Sequence, residues 1–352
     1  MGAEDLVAVG TCSLPVGTGH VEEDLKMKEI VILGTGSAAP DNVVTNFDLE
    51  KIMDTSDEWI VQRTGIRSRH IVRPGEKFSD FAVAAARQAL AAAGLQAGAL
   101  DLIICGTMTP DHLMPAGACS VQARLGAEKA TGMDVCAACS GFIYGVAIAE
   151  KYLKCDPSLH ILVIGGEIVS HHLDWEDRTT AVLFGDAVGA AVVGSRVGHG
   201  AKIRAVETGS DGNLGRLLYI QGLGSATPVT KDFNLDDNYI KMQGREIFKH
   251  AIKNMVEVSH RALQKAGYSI DQVTKVIPHQ ANIRIIEMLA KQFKKPMDKV
   301  FVNIDRYGNT SAGTIPVALD EAVRSGFLEP GDVVLMTVFG GGLTWAAAVV
   351  DW

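Results

Sequence analysis

The sequence predicts an α/β protein built from two copies of one arrangement. From about Lys28 onward, short apolar runs that suit buried strands alternate with longer helical patterns. The same order of elements occurs twice, which divides the 352-residue chain into an N-terminal half at 28–200 and a C-terminal half at 201–352. The 37 glycines are scattered between these runs, so they indicate tight turns.

The elements of the two halves correspond in order. The first half has a predicted helix at 81–93 and predicted strands at 29–33, 102–105, 133–135, 160–164 and 181–194. The second half has a predicted helix at 246–266 and predicted strands at 202–207, 273–277, 300–304, 333–338 and 345–350. In this register Cys139 is the counterpart of Asn309, and His279 follows the strand equivalent to 102–105. Because loops at the carboxyl ends of strands converge in open α/β sheets, we expect one site to collect these three residues.

Cys139 lies where the predicted strand at 133–135 turns into a helix that runs to Leu153. Backbone N–H groups at a helix N-terminus carry partial positive charge and favour an anion. The thiolate is the nucleophilic form of cysteine, so this position predicts an activated Cys139 with a lowered pKa. A buried, inert cysteine among alanines explains the same segment equally well.

Two other motifs suggest different chemistry, and each lacks a required part. Cys136 and Cys139 form a Cys-x-x-Cys pair, but the centre of the pair is not Gly-Pro-like. Cys136 belongs to the predicted strand, so we expect it to be packed. His171 and His172 have no set of ligands at suitable spacing nearby. We therefore predict no metal site, and a redox centre at Cys136 and Cys139 is the least supported alternative.

Composition places the protein in a reducing environment. The six cysteines lie at irregular spacings, at positions 12, 105, 119, 136, 139 and 155, which does not suit a disulfide framework. Residues 1–27 are acidic and lack the basic and apolar regions of a signal peptide. No run approaches the roughly 18 apolar residues of a membrane span. We predict a soluble cytoplasmic protein with a loosely ordered N-terminal extension at 1–27.

The charge is negative overall but unevenly distributed. A formal net charge of −8 argues against general nucleic-acid binding. Residues 241–300 nevertheless contain 12 Lys and Arg against 5 Asp and Glu. Basic side chains recur at helical spacing in this window, at Arg245, Lys249, Lys253, Arg284 and Lys291. A solvated helix face is the default explanation, and an acidic or phosphate-bearing partner is the functional one.

Four motifs in order resemble the β-ketoacyl-acyl-carrier-protein synthase III family of the thiolase superfamily. They are Cys-Ala-Ala-Cys-Ser-Gly-Phe at 136–142, Pro-His-Gln-Ala-Asn at 278–282, Gly-Asn-Thr-Ser-Ala at 308–312 and Phe-Gly-Gly-Gly-Leu-Thr-Trp at 339–345. Each motif alone is only suggestive, and the ordered set at these intervals is specific. The resemblance extends from about Lys28 to Trp352 and leaves out residues 1–27.

The resemblance implies a fold, an assembly and a reaction. The fold is the duplicated thiolase fold with five layers, α-β-α-β-α, and the assembly is a homodimer. The reaction is the condensation of acetyl-CoA, or a related short acyl-CoA, with malonyl-acyl carrier protein (malonyl-ACP), which initiates fatty acid synthesis. The products are a β-ketoacyl-ACP, CoA and carbon dioxide. CoA enters as a substrate, and no permanent cofactor is implied.

The resemblance also assigns roles to residues. It implies a catalytic set of Cys139, His279 and Asn309, with an oxyanion hole formed by the N–H groups of Cys139 and Gly341. The implied CoA site comprises Thr55, Trp59, Arg63, Arg178, Gly244, Phe248, Ala281 and Asn282. Met114 and Phe339 are implied to line the acyl pocket, with Met114 reaching into the other subunit. The carrier protein is expected at Arg245, Lys249, Lys253, Arg284 and Lys291.

The residue types suit this chemistry. A cysteine thiolate is both a nucleophile and a leaving group, which acyl transfer between thioesters requires. His279 and Asn309 can both donate hydrogen bonds to the oxygen of an enolate formed by decarboxylation. Such a mechanism predicts ping-pong kinetics. Three alternatives remain: a specialised relative that uses another acyl-CoA in secondary metabolism, a silent thiolase-fold scaffold, and a redox protein.

Overall fold

The structure, a computed structural model, describes residues 28–198, 200–222, 224–228 and 234–352. The predicted extension at 1–27, with Cys12, lies outside the described residues. Within the described ranges, none of the helices has the length and apolar character needed to span a membrane. The same ranges contain no group of three or more His, Cys, Asp and Glu side chains placed to share a metal ion.

The strands and helices follow the predicted alternation. The strands of the described residues are β1 (Glu29–Ala38), β2 (Val43–Thr45), β3 (Ser68–His70), β4 (Leu102–Gly106), β5 (Thr131–Val135), β6 (Ile161–Glu167), β7 (Ala187–Arg196), β8 (Ala201–Ser210), β9 (Leu218–Tyr219), β10 (Lys241–Met242), β11 (Lys275–Pro278), β12 (Val333–Gly340) and β13 (Thr344–Asp351). The α-helices are α1 (Asn46–Leu49), α2 (Asp57–Thr64), α3 (Phe78–Ala93), α4 (Gly117–Leu125), α5 (Gly141–Cys155), α6 (Gly244–Ala266), α7 (Ile283–Gln292), α8 (Ile304–Tyr307) and α9 (Thr314–Arg324).

Nine strands pair into one mixed sheet in which the spatial order of the first half is repeated. The order is β11-β12-β13-β8-β1-β7-β6-β4-β5. The first-half strands therefore run β1-β7-β6-β4-β5, and the second-half strands run β8-β13-β12-β11. β1 and β8 join the two halves through only two residue pairs. Because this junction is narrow, the two halves of the sheet can form separate layers. We propose that the N-terminal and C-terminal halves of the chain meet at 200/201.

The helices complete five layers. α3 and α4 pack on the outer face of the first half-sheet, against β1, β7, β5 and β4. α5 contacts β6, β4 and β8, while α9 contacts β7, β1 and β11, so both helices lie between the half-sheets. α6 and α7 cover the outer face of the second half-sheet. Both faces of each half-sheet are thus buried, which explains why the strands consist of nearly continuous apolar runs.

Two predicted strands differ from the structure. The strand predicted at 300–304 is reduced to an isolated parallel bridge between Val300 and Val276, and α8 starts at Ile304. The strand predicted at 181–194 begins only at Ala187. In both places the chain leaves the ladder because its backbone bonds elsewhere: Asn303 N–H donates to the Gln280 side chain, and Gly185 N–H donates to the Asn309 carbonyl.

Candidate active site

Cys139 lies on the turn between β5 and α5. The turn is a single 3₁₀ turn over Ala138–Ser140, and its first residue has φ of 45°. The helix start packs so closely on the end of β4 that a Cβ at Gly106 would lie 2.4 Å from the Gly141 carbonyl carbon. Glycines at this crossing therefore allow a helix N-terminus to lie directly against the strand end. Cys139 is buried there, with 6% of its surface exposed.

The Cys139 sulfur is surrounded by hydrogen-bond donors. The Ser311 hydroxyl donates to Sγ at 3.5 Å, and the backbone N–H groups of Cys139 and Gly341 also reach it. Gly340 makes the approach of this backbone possible, since a Cβ there would lie 2.8 Å from the Cys139 nitrogen. Two main-chain donors therefore converge on the position of the thiol.

The lowered pKa predicted for Cys139 is wrong for this structure. Burial raises the pKa of the thiol to about 11, although hydrogen bonds from Ser311 and from the N–H groups of Cys139 and Gly341 act in the opposite direction. The negative charge of Glu167 raises the pKa further. Desolvation of the thiolate outweighs the helix N-terminus, so Cys139 is a protonated thiol at neutral pH.

His279 follows β11 and is also buried. Its backbone N–H donates to the Thr337 carbonyl at 2.8 Å, and its Nδ1 lies 2.7 Å from the Thr314 hydroxyl. Burial lowers the pKa of His279 to about 3, so the imidazole is neutral at neutral pH. A neutral imidazole can offer one N–H group and one lone pair to a substrate.

Asn309 connects the two halves of the chain. Its backbone N–H donates to the Leu183 carbonyl at 2.8 Å, and its carbonyl accepts from Gly185 N–H at 3.2 Å. Its side-chain oxygen accepts the Ser311 N–H at 2.9 Å. This bond fixes the orientation of the amide, so its NH₂ group is the part that can donate to a substrate.

The register between the two halves differs from the predicted one. α5 and α9 each follow a single 3₁₀ turn whose first residue has positive φ, 45° at Ala138 and 52° at Ser311. Alignment of these turns makes Ala312 the counterpart of Cys139. Asn309 then corresponds to Cys136, so the predicted equivalence of Cys139 and Asn309 is wrong by three residues. The turns with positive φ before α5 and α9 fix this register, and the sequence pattern does not predict them.

Cys136 is also placed differently from the prediction. β5 ends at Val135, which pairs with Gly106, so Cys136 lies beyond the ladder. Its side chain is exposed and lines the same cavity as Cys139. The packed position expected for Cys136 is therefore wrong, because β5 ends at Val135 and Cys136 lies on the turn that follows.

One cavity of about 1350 Å³ brings most of the expected site residues together. Its lining includes Cys139, His279, Asn309, Gly341, Phe339, Trp59, Arg63, Arg178, Gly244, Phe248, Ala281, Asn282, Arg245, Lys249 and Arg284. Four expected residues are not part of the lining, namely Thr55, Met114, Lys253 and Lys291. Met114 is 85% exposed on the loop after β4, so it does not enter the cavity of its own chain.

The mouth of the cavity has an aromatic and cationic cluster. The guanidinium carbons of Arg63 and Arg178 lie 4.6 and 5.2 Å from the centroid of the Trp59 ring. Arg178 also donates to the Asp54 carbonyl. A flat ring that stacks between Trp59 and Arg178 needs about 7 Å between the indole and the guanidinium group, which is twice the contact distance between two carbon atoms. Arg178 therefore has to move before a flat ring, such as the adenine of the expected CoA, can lie between them.

Asn282 and Arg284 connect this mouth to neighbouring helices. The Asn282 side-chain oxygen caps α7 by accepting the Arg284 N–H at 2.9 Å, and its NH₂ group donates to the Arg63 carbonyl at 3.2 Å. The Arg284 guanidinium donates to the Gln62 carbonyl at 3.0 Å. These bonds hold the start of α7 against the end of α2, on which Trp59 lies.

Glu167 is a buried carboxyl group beside the cavity that sequence reasoning missed. It accepts hydrogen bonds from the hydroxyls of Thr107 and Thr109, at 3.0 and 2.7 Å, and from the Met108 N–H. Burial raises its pKa to about 7 despite these donors. An acidic residue at the end of the apolar run 161–166 was the available signal. Ser311 and Thr314 were missed too, and nothing in the pattern distinguished them from ordinary helix-start residues.

Comparisons with known proteins agree with this architecture. Residues 133–212 match the family described as 3-oxoacyl-[acyl-carrier-protein (ACP)] synthase III, and residues 263–352 match its C-terminal part. A β-ketoacyl-[acyl-carrier-protein] synthase III of Desulfitobacterium hafniense is 50% identical over 327 residues, which cover 93% of this chain and 98% of the relative. One of Roseiflexus castenholzii is 49% identical and covers 91% of this chain and 97% of the relative.

Solved structures show the same similarity. The crystal structure of 3-oxoacyl-[acyl-carrier-protein] synthase III from Aquifex aeolicus has a TM-score of 0.85 and 48% identity, and the match covers 92% of this chain and all of that one. A priming β-ketosynthase from the R1128 polyketide pathway is 35% identical with a TM-score of 0.84, covering 92% of this chain and 96% of that one.

The fold and the cavity define a condensing acyltransferase of the duplicated thiolase fold, as predicted. More narrowly, the chain belongs to the β-ketoacyl-[acyl-carrier-protein] synthase III family. The identity of about 50% to synthase III relatives exceeds that to the polyketide-priming enzyme, so the specialised alternative is not favoured.

Proposed function

We propose that this protein condenses a short acyl-CoA, acetyl-CoA in the first instance, with malonyl-ACP and so initiates fatty acid synthesis. The observation that supports this most is the convergence of a thiol, an imidazole and a carboxamide on one cavity, at Cys139, His279 and Asn309. CoA is a substrate and a product, and the proposal requires no permanent cofactor.

In the first half-reaction, Cys139 Sγ attacks the acyl carbonyl and the bond to the CoA sulfur breaks. The N–H groups of Cys139 and Gly341, which reach the sulfur, are placed to stabilise the oxyanion. Because burial raises the pKa of Cys139 to about 11, the thiol proton is best transferred to the leaving CoA sulfur as the new bond forms. The products are acyl-Cys139 and CoA thiol.

In the second half-reaction, malonyl-ACP occupies the same cavity. Its carboxylate leaves as carbon dioxide, and the electron pair delocalises onto the thioester oxygen. His279 and Asn309 donate hydrogen bonds to that oxygen. The carbanion attacks the acyl carbon, Cys139 thiolate leaves, and one proton from solvent restores the thiol. One cavity serves both substrates in turn, which gives ping-pong kinetics.

A labelling experiment tests the proposal. The protein is mixed with acetyl-CoA, digested, and examined by mass spectrometry for acetyl on the Cys139 peptide; malonyl-ACP is then added. We expect an acetyl group on Cys139 that malonyl-ACP discharges. Cys139→Ala should take no label, while Cys119→Ser, at an exposed cysteine, should be labelled like the wild type. Absence of acylation would refute the proposal, and acylation only by longer acyl-CoAs would support the specialised alternative.

We also propose that the carrier protein binds at the basic face beside the cavity mouth. Arg245, Lys249 and Arg284 line the mouth, and Lys253 and Lys291 extend the charge along α6 and α7. Lys249 pairs with Glu246 at 2.8 Å, but this exposed pair is worth little in water. An acidic carrier protein would therefore find accessible cations next to the entrance.

Charge reversal tests this face. In Lys249→Glu we expect the KM for malonyl-ACP to rise about tenfold, since a favourable ion pair becomes repulsive. Acetylation of Cys139 by acetyl-CoA should change less than twofold. Lys129→Glu is the matched control, because Lys129 pairs with Asp101 at 3.0 Å at the opposite end of the sheet. Equal losses with both substrates would contradict the proposal.

We further propose that the protein works as a cytoplasmic homodimer. The five cysteines of the described residues are all free, which suits a reducing compartment. Leu113 and Met114 are large apolar side chains exposed on one loop, which suits an interface with a second subunit.

A further inference from the structure

The hydroxyl group of Thr314 lies between a ring nitrogen of His279 and a backbone carbonyl oxygen. Thr314 is the buried first residue of α9. Its Oγ1 is 2.7 Å from Nδ1 of His279 and 3.0 Å from the carbonyl oxygen of Ser311. A hydroxyl has a single hydrogen, so it donates to only one of these atoms. The choice decides which ring nitrogen of His279 carries the hydrogen.

The surroundings favour donation to His279. The Ser311 carbonyl already accepts the backbone N–H of Thr314, which closes the 3₁₀ turn before α9. In the described part of the chain, Nδ1 of His279 has no partner besides Thr314. The distance to Nδ1 is also the shorter of the two. In the other arrangement, Nδ1–H would donate to Oγ1 and the hydroxyl would donate to the Ser311 carbonyl as its second donor. The shorter contact favours donation from the hydroxyl to Nδ1, which leaves Nε2 as the protonated nitrogen.

We propose that Thr314 is a positioning residue that holds neutral His279 in the Nε2–H tautomer, so that Nε2 can donate to the thioester oxygen of the malonyl group. This inference rests on the proposed function, which needs a donor and not an acceptor at His279. Asn309 is oriented in a similar way by Ser311, whose N–H occupies the amide oxygen. The start of α9 therefore orients both proposed donors.

The groups around His279 are consistent with a ring that stays neutral. Burial lowers the pKa of His279 to about 3. Cys136 and Cys139 line the same cavity on the turn after β5, and Glu167 at the end of β6 acts electrostatically on both thiols. No carboxylate accepts a hydrogen bond from His279 in the described part of the chain. The Thr314 hydroxyl is therefore the group that determines the tautomer of His279.

Nitrogen NMR tests the tautomer directly. Protein containing ¹⁵N-labelled histidine is compared as wild type, Thr314→Val and Thr314→Ser at pH 7.5, and His279→Asn assigns the signal. We expect hydrogen on Nε2 in the wild type and in Thr314→Ser, and a mixture of tautomers in Thr314→Val. Hydrogen on Nδ1 in the wild type would overturn the proposal.

Separate measurement of the two half-reactions provides the second test. In Thr314→Val, decarboxylation of malonyl-ACP by the acetylated protein should fall about 10- to 100-fold, the range found when the hydrogen-bond partner that orients a metal-ligating histidine is lost. Acetylation of Cys139 should stay within about twofold, and Thr314→Ser should restore decarboxylation. Equal loss in both half-reactions, or equal behaviour of the Ser and Val variants, would indicate a packing role and overturn the proposal.

The two tests separate this inference from the proposed function. If the wild type neither acetylates nor decarboxylates, the proposed function fails, while the NMR spectrum still decides the role of Thr314. Circular dichroism checks the fold of Thr314→Val. If that variant does not fold, the wild-type spectrum and the Thr314→Ser comparison decide the outcome.

Discussion

At the scale of single residues, the protonation of Cys139 and His279 depends on burial more than on neighbouring charges or dipoles. Both side chains are almost completely buried, which raises the pKa of the thiol to about 11 and lowers that of the imidazole to about 3. The helix N-terminus favours the thiolate, but its effect is smaller than the cost of desolvating an anion. The resting site therefore holds a neutral thiol and a neutral imidazole in one cavity.

This protonation state predicts the pH dependence of Cys139 alkylation. With a pKa of about 11, the thiolate fraction, and hence the rate of modification by iodoacetamide, should rise about tenfold per pH unit between pH 7 and 10. Peptide mapping by mass spectrometry measures the rate at Cys139, and the exposed Cys119 is the internal comparison. A rate that levels off by pH 8 would show that the helix N-terminus dominates after all.

At the scale of elements, the site depends on close backbone contact between the turn before α5 and the end of β12. Gly340 allows this contact, since a Cβ there would lie 2.8 Å from the Cys139 nitrogen and 3.0 Å from the Cys139 Cβ. The neighbouring Gly341 N–H then reaches the thiol. The run of glycines between β12 and β13 therefore shapes the site, in addition to making a tight turn.

Substitution of Gly340 tests whether acetyl transfer depends on this backbone contact. In Gly340→Ala the added methyl group should displace the Gly341 N–H, and acetyl transfer to Cys139 should fall by about 10²-fold, the typical value of one oxyanion donor. The matched control is Gly98→Ala, because a Cβ at Gly98 meets nothing within 4 Å. Acetyl transfer is measured by release of CoA thiol. Activity within threefold of the wild type in Gly340→Ala would contradict the expected geometry.

At the scale of the whole molecule, one loop is unusually apolar for a surface. Leu113 and Met114, on the loop after β4, are 91% and 85% exposed. Exposed apolar side chains of this size at neighbouring positions indicate an interface. The loop begins at Thr107, which Glu167 holds beside the cavity, so a second subunit on this loop would lie close to the site.

Light scattering tests this interface. We expect the wild type to have twice the mass of one chain, and the double variant Leu113→Asp, Met114→Asp to shift toward the monomer because it places charges in an apolar contact. Val197→Asp is the control, since Val197 is 46% exposed and follows β7 at the end of the sheet remote from Cys139. A monomeric wild type, or a double variant with unchanged mass, would contradict the proposed dimer.

The sequence alone determined the α/β class, the repeated alternation of strands and helices, and the family. Apolar periodicity and glycine punctuation are local signals, and they are repeated often enough to define the fold class. The motifs around Cys139, His279 and Asn309 also identified three side chains that the structure brings to one cavity. The fold class and these motifs could be read because each depends on residues that are neighbours in the chain.

Only the tertiary structure decided the register of the repeat, the exposure of Cys136, and the protonation of the site. The positive φ at Ala138 and Ser311 shifts the counterpart of Cys139 to Ala312, and no residue type required that conformation. The high pKa of Cys139, and the positions of Glu167 and Thr314 near the site, come from segments far apart in sequence. Desolvation and hydrogen bonding depend on everything packed around a group, so these properties appear only once the layers are assembled.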